Sequence, residues 1–235
     1  FYEKLVESDV LPTTSQATPA MFDTVFRETA AAGDSAVVIT LSSKLSGTYQ
    51  SAVLAADGYE NIHIVDSQSV SIGAGVLAEL GVRLNEQGRS AAEIAETLMR
   101  AREDVCVIAL LDTLEYLKKG GRISKTVAFA GGMLNIKPVV TIQDGAVVMI
   151  GKARGSRNGN NLLVEKINQA GGVDFDRPVL LGYTGLSSAL MEKYVEDSKA
   201  LWEGHVDQLD GCLLCSVIGT HAGPGAVAVA FFKKG

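Results

Sequence analysis

The chain has 235 residues, of which 47% are hydrophobic and 20% are charged, and its formal net charge is −6. This composition is typical of a globular protein with enough apolar side chains for a substantial core. The acidic balance argues against a nucleic-acid-binding protein. No apolar run approaches the roughly 20 residues that a membrane-spanning helix needs, so we expect no stable insertion into a membrane.

Strand-like and helical segments alternate in the first half of the chain. The expected strands are 36–40, 62–66 and 105–111, and the expected helices are 1–8, 19–32, 46–57, 70–87 and 90–103. Thr18 before Pro19 predicts a helix start, and Ser90 followed by Glu93 predicts a capping box. The alternation itself predicts parallel strand pairing with right-handed crossovers, as in a Rossmann-like sheet.

The pattern changes after residue 111, and we place a domain boundary near Asp112. The dipeptide Asp144-Gly145 lies between two apolar runs and predicts an antiparallel hairpin. Further helices are expected at 112–119, 126–134, 156–170 and 186–203, and further strands at 178–184, near 205–219 and at 225–232. We therefore predict a two-lobed α/β fold, with a Rossmann-like parallel-sheet lobe over 1–111 and a mixed-sheet α/β lobe over 112–235.

The segment Ser42–Thr48, here called the hydroxyl turn, joins an expected strand to an expected helix. A helix N-terminus offers unpaired N–H groups and a positive dipole end, so this segment predicts an anion site. The alternative is ordinary helix capping, but the segment has more hydroxyl side chains than one cap needs. It lacks the spacing of a phosphate-binding P-loop, and Ser46 lacks the G-x-S-x-G pattern of a serine nucleophile.

Two other polar segments are candidates for the same site. The first is the loop Thr13–Gln16, which we expect at the same end of the α/β units as the hydroxyl turn. The second is the glycine-rich segment Ile218–Ala226, which predicts a tight turn that presents His221. A histidine at this position can donate a hydrogen bond to an anion.

Two basic segments, 118–122 and 152–157, stand out on an acidic chain. One interpretation is charge at a helix C-terminus and a solvated loop. The other is a docking surface for an acidic or phosphate-bearing partner. The sequence favours neither.

Metal and cofactor chemistry has no support in the sequence. No cluster of His, Cys, Asp or Glu shows the spacing of metal ligands, and the dinucleotide motif G-x-G-x-x-G is absent. Cys212 and Cys215 have C-x-x-C spacing, but they lie in a strand-like run and are expected to be buried core residues. Three cysteines without a paired framework favour a reducing cytoplasm.

Several motifs, in order along the whole chain, together resemble the DegV family. They are Thr13-Thr14-Ser15-Gln16, Ser42-Ser43-Lys44-Leu45-Ser46-Gly47-Thr48-Tyr49-Gln50-Ser51-Ala52, Val65-Asp66-Ser67, Gly120-Gly121-Arg122-Ile123-Ser124 and His221-Ala222-Gly223-Pro224-Gly225. The resemblance implies a bacterial, two-lobed protein that holds one long-chain fatty acid in a tunnel between its lobes. It also implies a non-catalytic role, in some members as the subunit of a fatty acid kinase that presents the acyl carboxylate to a separate ATP-binding subunit.

The same resemblance assigns residues. It implies that Thr14 and Ser46 hydrogen-bond the carboxylate, that Gly47 and Thr48 belong to the same site, and that His221 lies at the head group. It implies that three arginines face the kinase subunit: Arg122, Arg154 and Arg157. Family members begin with a further strand and a hydroxyl-rich loop, so we expect this sequence to be incomplete at its N-terminus.

A second reading of the residues is an enzyme. Ser46 would be the nucleophile and His221 the base, acting on an acyl or phosphoryl ester. The sequence shows neither a nucleophile elbow nor a third residue that would orient the histidine. The lipid-binding protein is therefore our first hypothesis and the serine-dependent hydrolase the alternative.

Overall fold

The structure is a computed structural model, and it describes residues 1–123, 135–206, 209 and 211–234. The helix expected at 126–134 lies outside these residues. By its internal contacts the chain divides into two compact units. The larger unit comprises Phe1–Thr14, Cys106–Gln143 and Val147–Gly235, and the smaller unit comprises Ser15–Val105 and Asp144–Ala146. This division differs from the predicted lobes, which place residues 1–14 and 106–111 with the segment 15–105, and the lobes as functional domains stay a prediction.

The elements follow one another along the chain as strands and helices. The helices are α1 (Tyr2–Glu7), α2 (Pro19–Ala31), α3 (Thr48–Ala55), α4 (Ile72–Glu86), α5 (Ala91–Ala101), α6 (Glu115–Lys119), α7 (Ser156–Gln169), α8 (Ala189–Asp197), α9 (Lys199–Trp202) and α10 (Ser216–Ala222). The strands are β1 (Ala36–Thr40), β2 (Ile62–Asp66), β3 (Val105–Leu110), β4 (Ile136–Gln143), β5 (Ala146–Arg154), β6 (Leu180–Tyr183), β7 (Gly211–Leu213) and β8 (Val227–Phe232). A short 3₁₀ turn, Arg102–Asp104, connects α5 to β3.

In the smaller unit, β1 and β2 pair in parallel, from Ala36 opposite Ile62 to Thr40 opposite Asp66. The parallel pairing confirms the prediction from alternating strands and helices. The local signals are also confirmed, because the Thr18 side chain accepts a hydrogen bond from the N–H of Met21 and α5 begins with the expected capping box. Both strands therefore end at the same edge, where the loops after β1 and β2 lie side by side.

The larger unit is built on a six-stranded mixed sheet in the order β5-β4-β3-β8-β6-β7. The β4–β5 turn confirms the predicted hairpin, since Asp144 and Gly145 have φ values of 49° and 76°, as a type I′ turn requires. Every residue of β8 is buried. The core packs around it, with Phe231, Leu163 and Tyr194 fully buried.

Three expectations from the sequence are wrong in detail, although the α/β class with one parallel and one mixed sheet is confirmed. Strand β3 was expected to close the parallel sheet, but it pairs antiparallel with β4, Ile108 lying opposite Thr141. A buried apolar strand has the same sequence pattern in either sheet, so the pattern does not select the partner.

The segment expected to be a tight turn around His221 is helical instead, because α10 covers Ser216–Ala222. Gly219, which suggested a turn, lies inside this helix. A Cβ atom at position 219 would lie 2.7 Å from both Phe1 Cε1 and Tyr2 Oη, so the glycine permits close packing against the start of the chain. Only the segment after α10 is a turn.

The cysteine expectation is also wrong. Cys212 and Cys215 are both exposed, whereas Leu214 between them is buried. The reason is that β7 is a three-residue strand at the edge of the six-stranded sheet, and Cys215 already lies at the start of α10.

Candidate functional site

Ser42 anchors the hydroxyl turn with all of its polar atoms, and it is fully buried. Its N–H donates to the carbonyl of Ser69 at 2.7 Å, and its own carbonyl accepts from the N–H of Ser46 at 3.3 Å. Its Oγ donates to the carbonyl of Gly145 at 2.7 Å and accepts from the N–H of Lys44 at 3.2 Å. The backbone that carries Ser46 is therefore held from several directions.

The Ser46 and Thr48 hydroxyls form a hydrogen-bonded pair at the start of α3, with 2.9 Å between their oxygens. The N–H of Thr48 also donates to Ser46 Oγ at 3.2 Å, and the N–H of Ala17 donates to Thr48 Oγ1 at 3.4 Å. Two hydroxyl hydrogens are present and only one is used within the pair. Whichever hydroxyl donates to the other, the pair has one hydroxyl hydrogen left, which a hydrogen-bond acceptor can take.

Asp66, at the end of β2, fixes the neighbouring loops. Its Oδ1 accepts from the N–H of Ser43 at 3.2 Å and from the N–H of Gln68 at 3.0 Å. The residue is 9% exposed. A buried carboxylate is stabilised by such N–H donors, and here it joins the loop after β1 to the loop after β2. In the sequence, Asp66 stands out only as part of the motif Val65-Asp66-Ser67.

In the larger unit, Thr14 Oγ1 lies 2.8 Å from Nε2 of His221, which extends from α10. The structure thus places these two candidate residues in contact. Burial, and to a smaller extent the charge of Arg122, lowers the pKa of His221, so the imidazole is neutral near pH 7. A neutral imidazole carries one proton, and its position decides what Thr14 can offer.

The other ring nitrogen, Nδ1, is buried and has no hydrogen-bond partner among the described residues. It faces Gly120, where a Cβ atom would overlap the imidazole. A buried N–H without a partner is rarer than an unpaired acceptor, so the network favours the tautomer with the proton on Nε2. In this tautomer His221 donates to Thr14, and the hydroxyl hydrogen of Thr14 is left for another acceptor.

The turn that follows α10 is fixed by Thr184, a 2% exposed residue that the sequence analysis did not single out. Its Oγ1 donates to the carbonyl of Gly223 at 2.6 Å and accepts from the N–H of Ala226 at 2.8 Å. Gly223 has φ 71°, and a Cβ atom there would overlap the ring of Tyr116. The end of the helix that carries His221 is therefore tightly constrained.

The three arginines of the basic segments are exposed side chains of the larger unit. Arg122 follows α6, and its guanidinium donates to the carbonyl of Gly120 at 2.8 Å. Arg154 is the last residue of β5, and Arg157 lies in the first turn of α7. Their common property is accessible positive charge.

The described part of the chain has neither a metal-ligand cluster nor a membrane-spanning helix. No group of three or more His, Cys, Asp or Glu side chains there is placed to hold a metal ion. No helix within the described ranges is long and apolar enough to cross a membrane.

Comparison with known proteins gives one matching family model, over residues 1–234, described as "Uncharacterised protein, DegV family". A DegV domain-containing protein of Caldanaerobacter subterraneus subsp. tengcongensis is 35% identical over 100% of this chain and 83% of its own length. A DegV domain-containing protein of Clostridium acetobutylicum is 33% identical over 97% of this chain and 80% of its own length.

Solved structures that resemble this chain are also DegV family proteins. A DegV family protein from Thermus thermophilus, described by its fatty acid binding, is 32% identical with a TM-score of 0.85, over 98% of this chain and 82% of that protein. A DegV lipid-binding protein from Thermotoga maritima is 27% identical with a TM-score of 0.85, over 99% of this chain and 82% of that protein. The resemblance noted in the motifs is confirmed.

Proposed function

Since the chain belongs to the DegV family, we propose that it binds a long-chain fatty acid through the carboxylate and presents this group to a separate kinase subunit. The observation that carries the proposal is the hydrogen bonding of two pairs, Ser46–Thr48 and Thr14–His221. From these contacts we infer that each pair keeps one hydroxyl hydrogen without an acceptor among the described residues. A carboxylate only accepts hydrogen bonds, so it matches groups whose remaining capacity is to donate. The Thermus and Thermotoga relatives, described as binding fatty acid and lipid, support the same ligand class.

The expected free energy of binding is sufficient for a fatty acid ligand. Hydrogen bonds to a charged acceptor are roughly twice as strong as neutral ones, which favours the carboxylate over an uncharged head group. An acyl chain gains about 0.8 kcal/mol for each buried methylene, so about a dozen methylenes supply on the order of 10 kcal/mol before the cost of association. The aromatic content of 6% suits a mainly aliphatic lining.

Two groups of residues are candidates to bind the carboxylate. The proposal for each group depends only on the hydrogen bonds of that group. One is Ser46, Gly47 and Thr48 at the start of α3. The other is Thr14 with His221, which holds the threonine as a donor. We propose that both groups take part, and variants in each group test them separately.

We further propose that Arg122, Arg154 and Arg157 dock the kinase subunit. Exposed arginines favour an acidic or phosphate-bearing surface. The sequence has no phosphate-binding P-loop, so ATP would be bound by the partner. The free thiols of Cys212 and Cys215 support the cytoplasm as the location of this complex.

The hydrolase alternative has less support than the binding protein. A serine nucleophile needs a histidine base within hydrogen-bond reach of its hydroxyl. Nε2 of His221 is instead bonded to Thr14, while the hydroxyl partner of Ser46 is Thr48. Labelling with a serine-reactive phosphonate would distinguish the two, since a binding protein gives no specific adduct at Ser46.

The experiment that tests the proposal is lipid extraction of the purified protein with organic solvent, followed by mass spectrometry. We expect a long-chain fatty acid in about stoichiometric amount, or its uptake when it is added to delipidated protein. A protein that yields no fatty acid and takes up none would contradict the proposal.

A further inference from the structure

The side chain of Gln16 connects the segment before α2 to the hydroxyl turn. Its Nε2 donates to Ser51 Oγ at 2.9 Å, and Ser51, on α3, is only 2% exposed. At the other end of the same amide, a Cβ atom added to Gly47 would overlap Oε1. The amide of Gln16 therefore lies directly on the Cα of Gly47, although the residue as a whole is exposed.

We propose that Gln16 is a positioning residue, which holds the Ser46–Thr48 hydroxyl pair in the orientation that donates to the carboxylate. This inference rests on the proposed function. Gly47 is the residue between the two hydroxyls, and its carbonyl accepts from the N–H of Ser51 at 2.9 Å. Gln16 thus contacts both ends of the first turn of α3, from Gly47 to Ser51, which carries Thr48.

The next residue in the chain acts on the same pair. The N–H of Ala17 donates to Thr48 Oγ1, which occupies one acceptor position of that hydroxyl. The Gln16 amide fixes the backbone of this segment against α3, and the Ala17 N–H then fixes the direction of the Thr48 hydroxyl. Without the amide contact, the hydrogen that the pair offers to a ligand loses its defined direction.

Gly47 is required for space and not for an unusual backbone conformation. Its φ of −71° and ψ of 2° are accessible to alanine. A Gly47→Ala variant therefore folds without backbone strain, but its methyl group displaces the Gln16 amide, which is the movable end of a flexible side chain. Gly47→Ala and Gln16→Ala break the same contact from its two sides.

The test is a double-mutant cycle on the full chain, with the dissociation constants of oleic acid and of oleyl alcohol measured by titration. We expect Gln16→Ala and Gly47→Ala each to raise the constant for oleic acid about five- to tenfold. The double variant is expected to bind no more weakly than either single variant.

The dissociation constant for oleyl alcohol is expected to change little, because the contact orients donors for a charged acceptor. Gln50→Ala, the same change at an exposed glutamine of α3, serves as the control and is expected to bind as the wild type does.

Wild-type affinity for oleic acid in either single variant would overturn the positioning role. So would additive losses in the double variant, or an equal loss for the alcohol, which would indicate a general structural effect. The Gly47→Ala variant deletes no group, so it remains a valid test if Gln16→Ala lowers the melting temperature. A wild-type protein that binds no fatty acid would refute the proposed function itself, which is a different result.

Discussion

Thr14 Oγ1 and His221 Nε2 lie 2.8 Å apart although 207 positions separate them in the chain. The contact gives the histidine a hydroxyl partner and leaves its other nitrogen buried against Gly120. Because the imidazole donates in this arrangement, Thr14 becomes a donor toward whatever lies beyond it. In this arrangement the Thr14 hydroxyl can donate its hydrogen to a further acceptor.

This arrangement predicts the effect of removing the Thr14 hydroxyl. Thr14→Val keeps the shape of the side chain but removes the donor and leaves the Nε2–H of His221 without its partner. We expect fatty-acid binding to weaken by about 1–3 kcal/mol, measured by titration. Thr14→Ser retains the hydroxyl and is expected to stay close to the wild type. Unchanged affinity in Thr14→Val would remove Thr14 from the site.

A matching prediction concerns the hydroxyl turn. Ser46→Ala removes one member of the Ser46–Thr48 pair, so the remaining hydroxyl loses its partner and its fixed direction. We expect a loss of about 1–3 kcal/mol in fatty-acid binding. Ser43→Ala is the matched control, because Ser43 is an exposed serine of the same turn. Equal affinities of the two variants would contradict the assignment of Ser46.

The lowered pKa of His221 predicts a pH dependence of stability. The unfolded chain, with an ordinary histidine pKa of 6.5, takes up a proton at a higher pH than the folded protein does. The free energy of unfolding should therefore fall as the pH drops from 6.5 through the folded pKa, and level off below it. Urea unfolding between pH 8 and pH 5 measures this dependence.

His221→Gln removes this titrating group and retains a side-chain amide near the position of Nε2. The decline in stability toward acid pH should be shallower in this variant than in the wild type. All other titrating groups are present in both proteins, so their contributions cancel in the comparison. Identical slopes would show that the pKa of His221 is not lowered on folding.

The hydrogen bonds of Thr184 predict that its substitution lowers the stability of the protein, although we do not propose that Thr184 contacts the ligand. Thr184→Val leaves the carbonyl of Gly223 and the N–H of Ala226 without their partner inside the protein. We expect the free energy of unfolding to fall by about 1–3 kcal/mol, measured by urea denaturation. Thr13→Val, at an exposed threonine, should change it by less than about 0.5 kcal/mol. A neutral Thr184→Val would mean that this turn is held by other contacts.

The basic segments predict a separation of two functions. Arg154→Ala and Arg157→Ala should leave fatty-acid affinity unchanged, while each weakens association with a fatty acid kinase ATP-binding subunit in a salt-dependent way. Arg89→Ala, an exposed arginine of the smaller unit, is the control. Full association and acyl phosphate formation with both variants would exclude this docking surface.

Local signals predicted much of the fold. The Thr18 cap, the Ser90–Glu93 capping box and the Asp144-Gly145 turn each depend on residues a few positions apart, and each was confirmed. The partner of β3 was not predictable in the same way, because a buried strand carries no information about its neighbour. The helix α10 was missed because Gly219 is present for packing and not for a turn.

Prediction of the candidate site from the sequence was also limited to what local motifs can show. The sequence indicated Thr14, Ser46 and His221 from their composition and family motifs. It did not indicate the support by Gln16 or Thr184, since both act through tertiary contacts with residues far along the chain. A glycine directly before a helix, as at position 47, was the one local sign that another side chain approaches there.

The most direct test of the central claim compares oleic acid with oleyl alcohol in a titration of the delipidated protein. The two ligands share the hydrocarbon chain, so a difference in their affinities reports the head group. Spare hydroxyl donors predict that the carboxylate binds at least about tenfold more tightly than the alcohol. Equal affinities, or no binding of oleic acid, would contradict a site that selects the carboxylate.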